Sequence, residues 1–159
     1  MPASTKTVAL TDTSLHISRV FDAPRALVFK AWTDPQHLLQ WFCPQGFRVL
    51  SFDADLRVGG QYRFTMQAPS GKNYAAGGVY REIAPPSRLV YSHVWEDNCS
   101  EERKDLIGME TLVTVDFSEQ GDKTLVNFIH EGLPDRNTVV SHTGGWTSYL
   151  ENLAEKLAA

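Results

Sequence analysis

Five histidines and two cysteines are the side chains of this 159-residue sequence best suited to ligate a metal, move a proton or attack an electrophile. His130-Glu131 opens like the HExxH of a zinc protease, but the fifth position is Pro134, which neither ligates zinc nor sits inside the helix that motif requires. His16, His37, His93 and His142 lack His-x-His or Cys-x-x-Cys neighbours, so no metal set is expected. No GxSxG elbow is present. Gly59-Gly60 and Gly77-Gly78 fall in turn or strand contexts without the following helix a phosphate cradle needs, so no cofactor is expected. Cys43 follows Trp41-Phe42 near the C-terminus of a helical pattern, where the dipole opposes a thiolate, and reads as an inert thiol. Cys43 and Cys99 cannot form a CxxC and are expected to be two reduced thiols.

Two roles remain for the histidines: proton shuttles, for which an imidazole pKa near 6.5 is suited, or polar tips in an apolar binding face. Facing bears on the choice. In "RLVYSHVWE" the alternating set Leu89, Tyr91, His93 and Trp95 carries the bulk and is expected to point inward. Phe64 and Met66 turn inward by the same rule, with Tyr62 at the start of their strand. Val113, Val115 and Phe117 share one face of a later strand, and Val126, Phe128 and His130 share a face of the last. Tyr80 lies in a segment loosened by Ala75, Ala76, Gly77 and Gly78, where small side chains favour a void or a bulge. The candidate cavity lining is therefore Phe64, Met66, Tyr80, His93, Trp95, Phe128, His130, His142, Trp146 and Tyr149, with no catalytic or metal-binding residue assigned.

These residues need elements to hold them. "SLHISRVF" has strand alternation, and "DAPRALVFKAW" starts a helix with Asp22 in its cap region and Pro24 in the first turn. "DPQHLLQWF" repeats the signal, with Asp34 as N-cap and Pro35 at the first helical position. From Phe47 to Glu131 strands alternate with turn chemistry such as "PSGK" and "APPS"; the polar loop "DNCSEERKD" leads to a hairpin of "METLVTVDF" and "KTLVNFIHE". The chain ends in a helix whose buried stripe is Val139, Trp146, Leu150, Leu153 and Leu157, flanked by His142 and Tyr149. Gly144-Gly145 sits well off that stripe, either bending the helix, admitting a neighbour at its back, or loosening a helix that moves over a ligand.

The expected fold is α+β: a curved antiparallel seven-stranded sheet, two short helices after the first strand, and a long C-terminal helix covering the concave face. Residues 1–12 are expected to be a flexible N-terminus and residues 13–159 a single domain. A net charge of −4 without basic runs gives no footprint for nucleic acid, and no segment approaches the roughly 20 apolar residues of a membrane span. With no apolar core of signal-peptide length at its start, the chain is expected to be cytoplasmic.

"FDAPRALVFKAWTDPQHLLQWF", "DLRVGGQYRFTM", "GVYREIAPPSRLVYSHVWED", "VTVDF" with "TLVNFIHEGLP", and "GGWTSYLENL" occur in that order, and together the chain resembles the activator of Hsp90 ATPase homologue family of the START-like, or SRPBCC, superfamily. The resemblance spans about residues 14 to 157. It implies a helix-grip fold in which the sheet wraps the C-terminal helix around a hydrophobic cavity. Taken with the apolar inward face, its sparse polar tips and the lack of a recognisable nucleophile, metal set or cofactor loop, the resemblance leads to the expectation of non-catalytic binding of a small hydrophobic molecule, of lipid, aromatic or polyketide-like character. The alternatives it carries are interaction with an Hsp90-type chaperone, and a cyclase- or aromatase-like enzyme in which His93, His130 or His142 would shuttle protons.

Overall fold

The computed structural model describes residues 6–96 and 106–158. Along the chain run β1 (Lys6–Leu10), β2 (Ser14–Phe21), α1 (Arg25–Thr33), α2 (Pro35–Trp41), β3 (Arg48–Ala54), β4 (Gln61–Gln67), β5 (Asn73–Ala84), β6 (Arg88–Trp95), β7 (Thr111–Gln120), β8 (Lys123–Glu131) and α3 (Arg136–Ala158). The strands form one sheet in the order β1-β2-β8-β7-β6-β5-β4-β3, every neighbouring pair antiparallel. The fold is thus α+β with a large antiparallel sheet and a C-terminal helix, consistent with a helix grip.

The sheet has eight strands where the sequence pattern predicts seven. The added strand is β1, inside the segment expected to be flexible, so the two short helices follow the second strand and not the first. β1 pairs with β2 from Lys6↔Arg19 to Leu10↔Leu15, and the Thr11 hydroxyl accepts the Ser14 N–H at 2.9 Å to close the turn. Four of its five residues are exposed, so it buries neither face and leaves no period-2 hydrophobic signal. The loop "DNCSEERKD", with Cys99, lies outside the described residues.

Local chemistry sets the helix boundaries. Asp34 caps α2, its carboxylate accepting the Gln36 N–H at 2.9 Å with Pro35 in the first turn, as the sequence indicates. α1 departs from the expectation: its N-cap is Pro24, with no side-chain cap bond, so Asp22 is not the cap. The two helices lock through Trp32 and Trp41, edge to face at 4.9 Å, and the Trp41 indole donates to the Ala31 carbonyl at 2.9 Å. Both rings are buried, which fixes the pair as a rigid cap at one end of the sheet.

α3 buries Val139, His142, Trp146, Tyr149, Leu150 and Leu153 against the concave face, with Leu157 half-buried. It runs unbroken through Gly144-Gly145. Where β4, β5 and β6 meet, the strands pass so closely that a Cβ on Gly78 would sit 2.0 Å from the Ser92 carbonyl oxygen. Only glycine fits there. The Ala75–Gly78 segment also precedes a register shift between Tyr80 and Glu82, so a bulge redirects β5 just past Tyr80.

Candidate functional site

The inward faces agree with the alternation in the sequence. Leu89, Tyr91, His93 and Trp95 are buried on β6, and pairing of Val113↔His130, Val115↔Phe128 and Phe117↔Val126 places the inward rows of β7 and β8 on one face. α3 sets Trp146 over that face, 4.7 Å from Phe128, with Tyr149 4.6 Å further along the helix. His93 and His130 lie 5.4 Å apart between centroids, as do His130 and His142; Trp95 closes the group at 5.1 Å from His93. Phe64 and Met66 meet it through neighbours: Phe42 bridges Phe64 and Trp146, and the Tyr149 hydroxyl donates to Met66 Sδ at 3.5 Å.

The ring nitrogens of His130, His142, Trp95 and Trp146 are committed to protein partners. Trp146 Nε1–H donates to His130 Nδ1 at 2.9 Å; because an indole only donates, His130 must carry its proton on Nε2. That Nε2–H reaches Thr111 Oγ1 at 2.7 Å, and the Thr111 hydroxyl donates onward to the His93 carbonyl at 2.9 Å. Trp95 Nε1–H likewise donates to His142 Nε2 at 3.1 Å, leaving His142 Nδ1–H to donate to the Thr138 carbonyl at 3.0 Å. Two indoles thereby hold two imidazoles neutral in defined tautomers. Burial pushes the His130 pKa well below the usual histidine range, and the neighbouring His93 and His142 push it the same way.

A second feature lies beside this cluster, on the far side of Phe42 from Trp146. Trp32, Leu38, Phe42, Phe52, Tyr62, Tyr80, Leu89 and Tyr91 line a small, partly open cavity of about 10 Å³ beneath α1 and α2. Three phenols and one indole line it, and no charged side chain does. The Tyr62 hydroxyl donates to the Ser92 carbonyl at 2.7 Å. Trp32 Nε1 and Tyr91 Oη are also buried. Burial drives the Tyr91 pKa far up. The Trp32 N–H, hydrogen-bonding to the Tyr91 oxygen, opposes that rise. Burial alone lifts Tyr80 to about 12. All three phenols are neutral over the physiological range.

Of the ten residues expected to line a cavity, Tyr80 borders this one; the other nine are buried on the inward faces of the sheet and α3. Trp32, Leu38, Phe42, Phe52, Tyr62, Leu89 and Tyr91 were not on the predicted lining. For Tyr62, Leu89 and Tyr91 the signal was available, because the alternation that selects Phe64 and His93 selects them too. For Trp32 and Phe42 nothing local reveals which side of a short helix or its end meets the sheet.

An open groove of about 700 Å³ runs between α2, residues 46–49 and the last turns of α3, where Cys43 is one lining residue. Burial raises the Cys43 pKa to about 11, which makes it a thiol and not a nucleophile. No group of His, Cys, Asp and Glu among the described residues has metal-holding geometry. No helix among them is long and apolar enough to cross a membrane.

A family model described as Activator of Hsp90 ATPase homolog 1-like protein matches residues 22–158. Among solved structures, the chain is similar to protein CV1439 from Chromobacterium violaceum at 27% identity, with 92% of this chain and 98% of that one covered and a TM-score of 0.80. It is similar to the AHSA1 (SPO3351) protein from Silicibacter pomeroyi at 28% identity, over 91% and 97% of the two chains, with a TM-score of 0.78. CalU16 from Micromonospora echinospora shares 27% identity over 97% and 87%, with a TM-score of 0.70. No curated protein matches the chain.

Proposed function

The chain belongs to the Activator of Hsp90 ATPase homolog 1-like family, and from that premise we propose that it binds a small, mainly apolar molecule, without catalysis, in the aromatic interior between the sheet and its helices. The observation that carries this reading is the cavity under α1 and α2: apolar and aromatic walls, no charge, and two buried polar atoms, Trp32 Nε1 and Tyr91 Oη. Ligand sites combine these properties, an apolar body with a few polar groups that fix orientation. On this reading the ligand sits beneath α1 and α2, beside the ring cluster under α3.

The non-catalytic half of the reading rests on two of the three candidate histidines, His130 and His142. A proton shuttle needs a ring nitrogen that can reach substrate, whereas both nitrogens of His130 and both of His142 are engaged with protein groups. Native mass spectrometry and thermal-shift measurements against a panel of small aromatic, polyketide-like and lipid molecules test the proposal. Retention or stabilisation by members of the panel supports it; a panel that leaves both mass and melting temperature unchanged overturns it.

A second reading, docking on an Hsp90-type chaperone, draws on the family's description and on a surface feature. Leu50, Leu56 and Val58 are exposed apolar side chains on edge strand β3 and the turn after it. Adding the protein to an Hsp90-type chaperone and measuring ATPase rate distinguishes this reading. A rise that Leu50→Ser with Val58→Ser abolishes would favour it over ligand binding.

A further inference from the structure

The groove between α2, residues 46–49 and the last turns of α3 shares no lining residue with the cavity under α1 and α2. Its walls are braced. Asn152 Nδ2 donates to the Cys43 carbonyl at 2.7 Å, Gln45 Nε2 donates to Glu155 Oε2 at 2.6 Å, and Lys156 Nζ donates to Gln40 Oε1 at 3.0 Å. These bonds tie α3 to α2 and to the residues that follow it, so the groove is formed before anything enters. Its volume of about 700 Å³ falls in the range of small-molecule sites, and no side chain has to move aside.

Three charged side chains line the groove: Arg48, Lys156 and Glu155. Two cations and one carboxylate leave a balance of +1, on a chain whose net charge is −4. Arg48 Nε donates to the Gln67 amide oxygen at 3.0 Å and Lys156 donates to Gln40, so among the described residues both cations have neutral amide partners and neither is in an ion pair. The terminal nitrogens of Arg48 and the remaining ammonium protons of Lys156 are still available as donors. Beside them the groove presents Leu39, Phe47 and Val49, with the Phe47 ring steadied by Tyr74 at 6.1 Å between centroids.

Apolar surface next to one uncompensated positive charge complements a molecule with an apolar body and one negative charge. A dianion exceeds that balance and meets Glu155, and a cation meets Arg48 and Lys156. We propose that this groove is a second binding site, separate from the interior one, for monoanionic amphiphiles: small carboxylates whose headgroup accepts from Arg48 and Lys156 while the body lies along Leu39, Phe47 and Val49.

Octanoate and octanamide have nearly the same shape and differ in charge, which isolates the electrostatic part of recognition. Titrating each into the isotope-labelled chain and following the Leu39 and Val49 methyl resonances reads binding in the groove, while the Leu38 and Leu89 methyls read the interior cavity. The expected result is that octanoate binds at Leu39 and Val49 about tenfold more tightly than octanamide, each exposed charge contact contributing several-fold. Added salt narrows the gap. Arg48→Gln and Lys156→Gln each lower octanoate affinity by about three- to fivefold and leave octanamide as before. Glu155→Gln, which keeps an amide oxygen for Gln45, raises octanoate affinity. Equal affinities for the two compounds at Leu39 and Val49 in the wild-type chain overturn the inference. A response confined to Leu38 and Leu89 also overturns it and upholds the interior reading alone, and no response to octanoate at any of the four methyls overturns it while the wider panel still decides the interior reading. The wild-type comparison holds even if a variant fails to fold.

Discussion

At the scale of single residues, His130 and His142 are held in place by the bonds their ring nitrogens make. Thr111 is the hinge of that arrangement, accepting from His130 and donating to the His93 carbonyl from a buried position. Thr111→Val keeps the shape but leaves the His130 Nε2–H without an acceptor, and is expected to lower unfolding free energy by about 1–3 kcal/mol in urea denaturation. An unchanged midpoint would mean that the network adds nothing. His130 also sets a pH dependence. Its folded pKa is depressed by burial, while in the unfolded chain it titrates near 6.5. Below that value the unfolded state takes up a proton that the folded state refuses. Stability is therefore fully present above about pH 6.5 and falls as pH drops, by up to about 1.4 kcal/mol per pH unit. The window between about pH 6.5 and pH 5 lies above the ordinary carboxylate range, so a His130→Gln variant with a flatter slope there identifies the group responsible.

At the scale of elements, α3 poses the question of its paired glycines, and geometry removes one answer. A Cβ built on Gly144 or Gly145 meets nothing within 4 Å among the described residues, so none of these presses on the helix there. Each glycine then carries only its backbone entropy cost, and Gly144→Ala with Gly145→Ala is expected to raise stability by up to about 1 kcal/mol per site, seen as a higher melting temperature. A fall would show strain that the open space does not reveal. A rise together with slower ligand exchange would assign the pair to motion of α3 over the interior. At the other end of the scale of crowding, Gly78 lies against the Ser92 carbonyl, so the same substitution there meets backbone that cannot yield. One residue type serves opposite purposes in the two elements.

At the scale of the whole molecule, the helices divide the work. α3 closes the centre of the sheet with tightly matched rings, while α1 and α2 cover the region where the small cavity remains. A ligand that binds only the folded chain stabilises it by mass action, about 2.7 kcal/mol at a hundredfold excess over Kd. For a chain of this length that corresponds to a rise of roughly 5–10 °C in melting temperature. The rise should grow with the logarithm of ligand concentration, and a shift that saturates at stoichiometric ligand while affinity is weak would point to binding elsewhere. Because Phe42 touches Trp146, Tyr149 and Phe64 as well as the cavity, truncating it to Ala couples the two regions and should enlarge the site at a stability cost of about 3–5 kcal/mol. Denaturation and affinity measured on the same variant read both effects.

The sequence by itself determined the order of elements from β2 onward, the Asp34 cap and the inward faces of β6, β7 and β8, because those features depend on local backbone chemistry and on a period of two or 3.6 residues. It missed β1, whose exposed residues carry no such period and whose existence depends on pairing with β2. It marked His93, His130, His142, Trp95 and Trp146 as inward, yet could not tell a satisfied network from a ligand's polar anchors. That distinction rests on which nitrogen meets which donor across β6, β7, β8 and α3. The cavity was the least legible feature. A void is what remains after side chains distant in sequence have packed, and only the tertiary arrangement of α1, α2 and the β3 to β6 end of the sheet decided that a space falls beside Tyr80 and Tyr91.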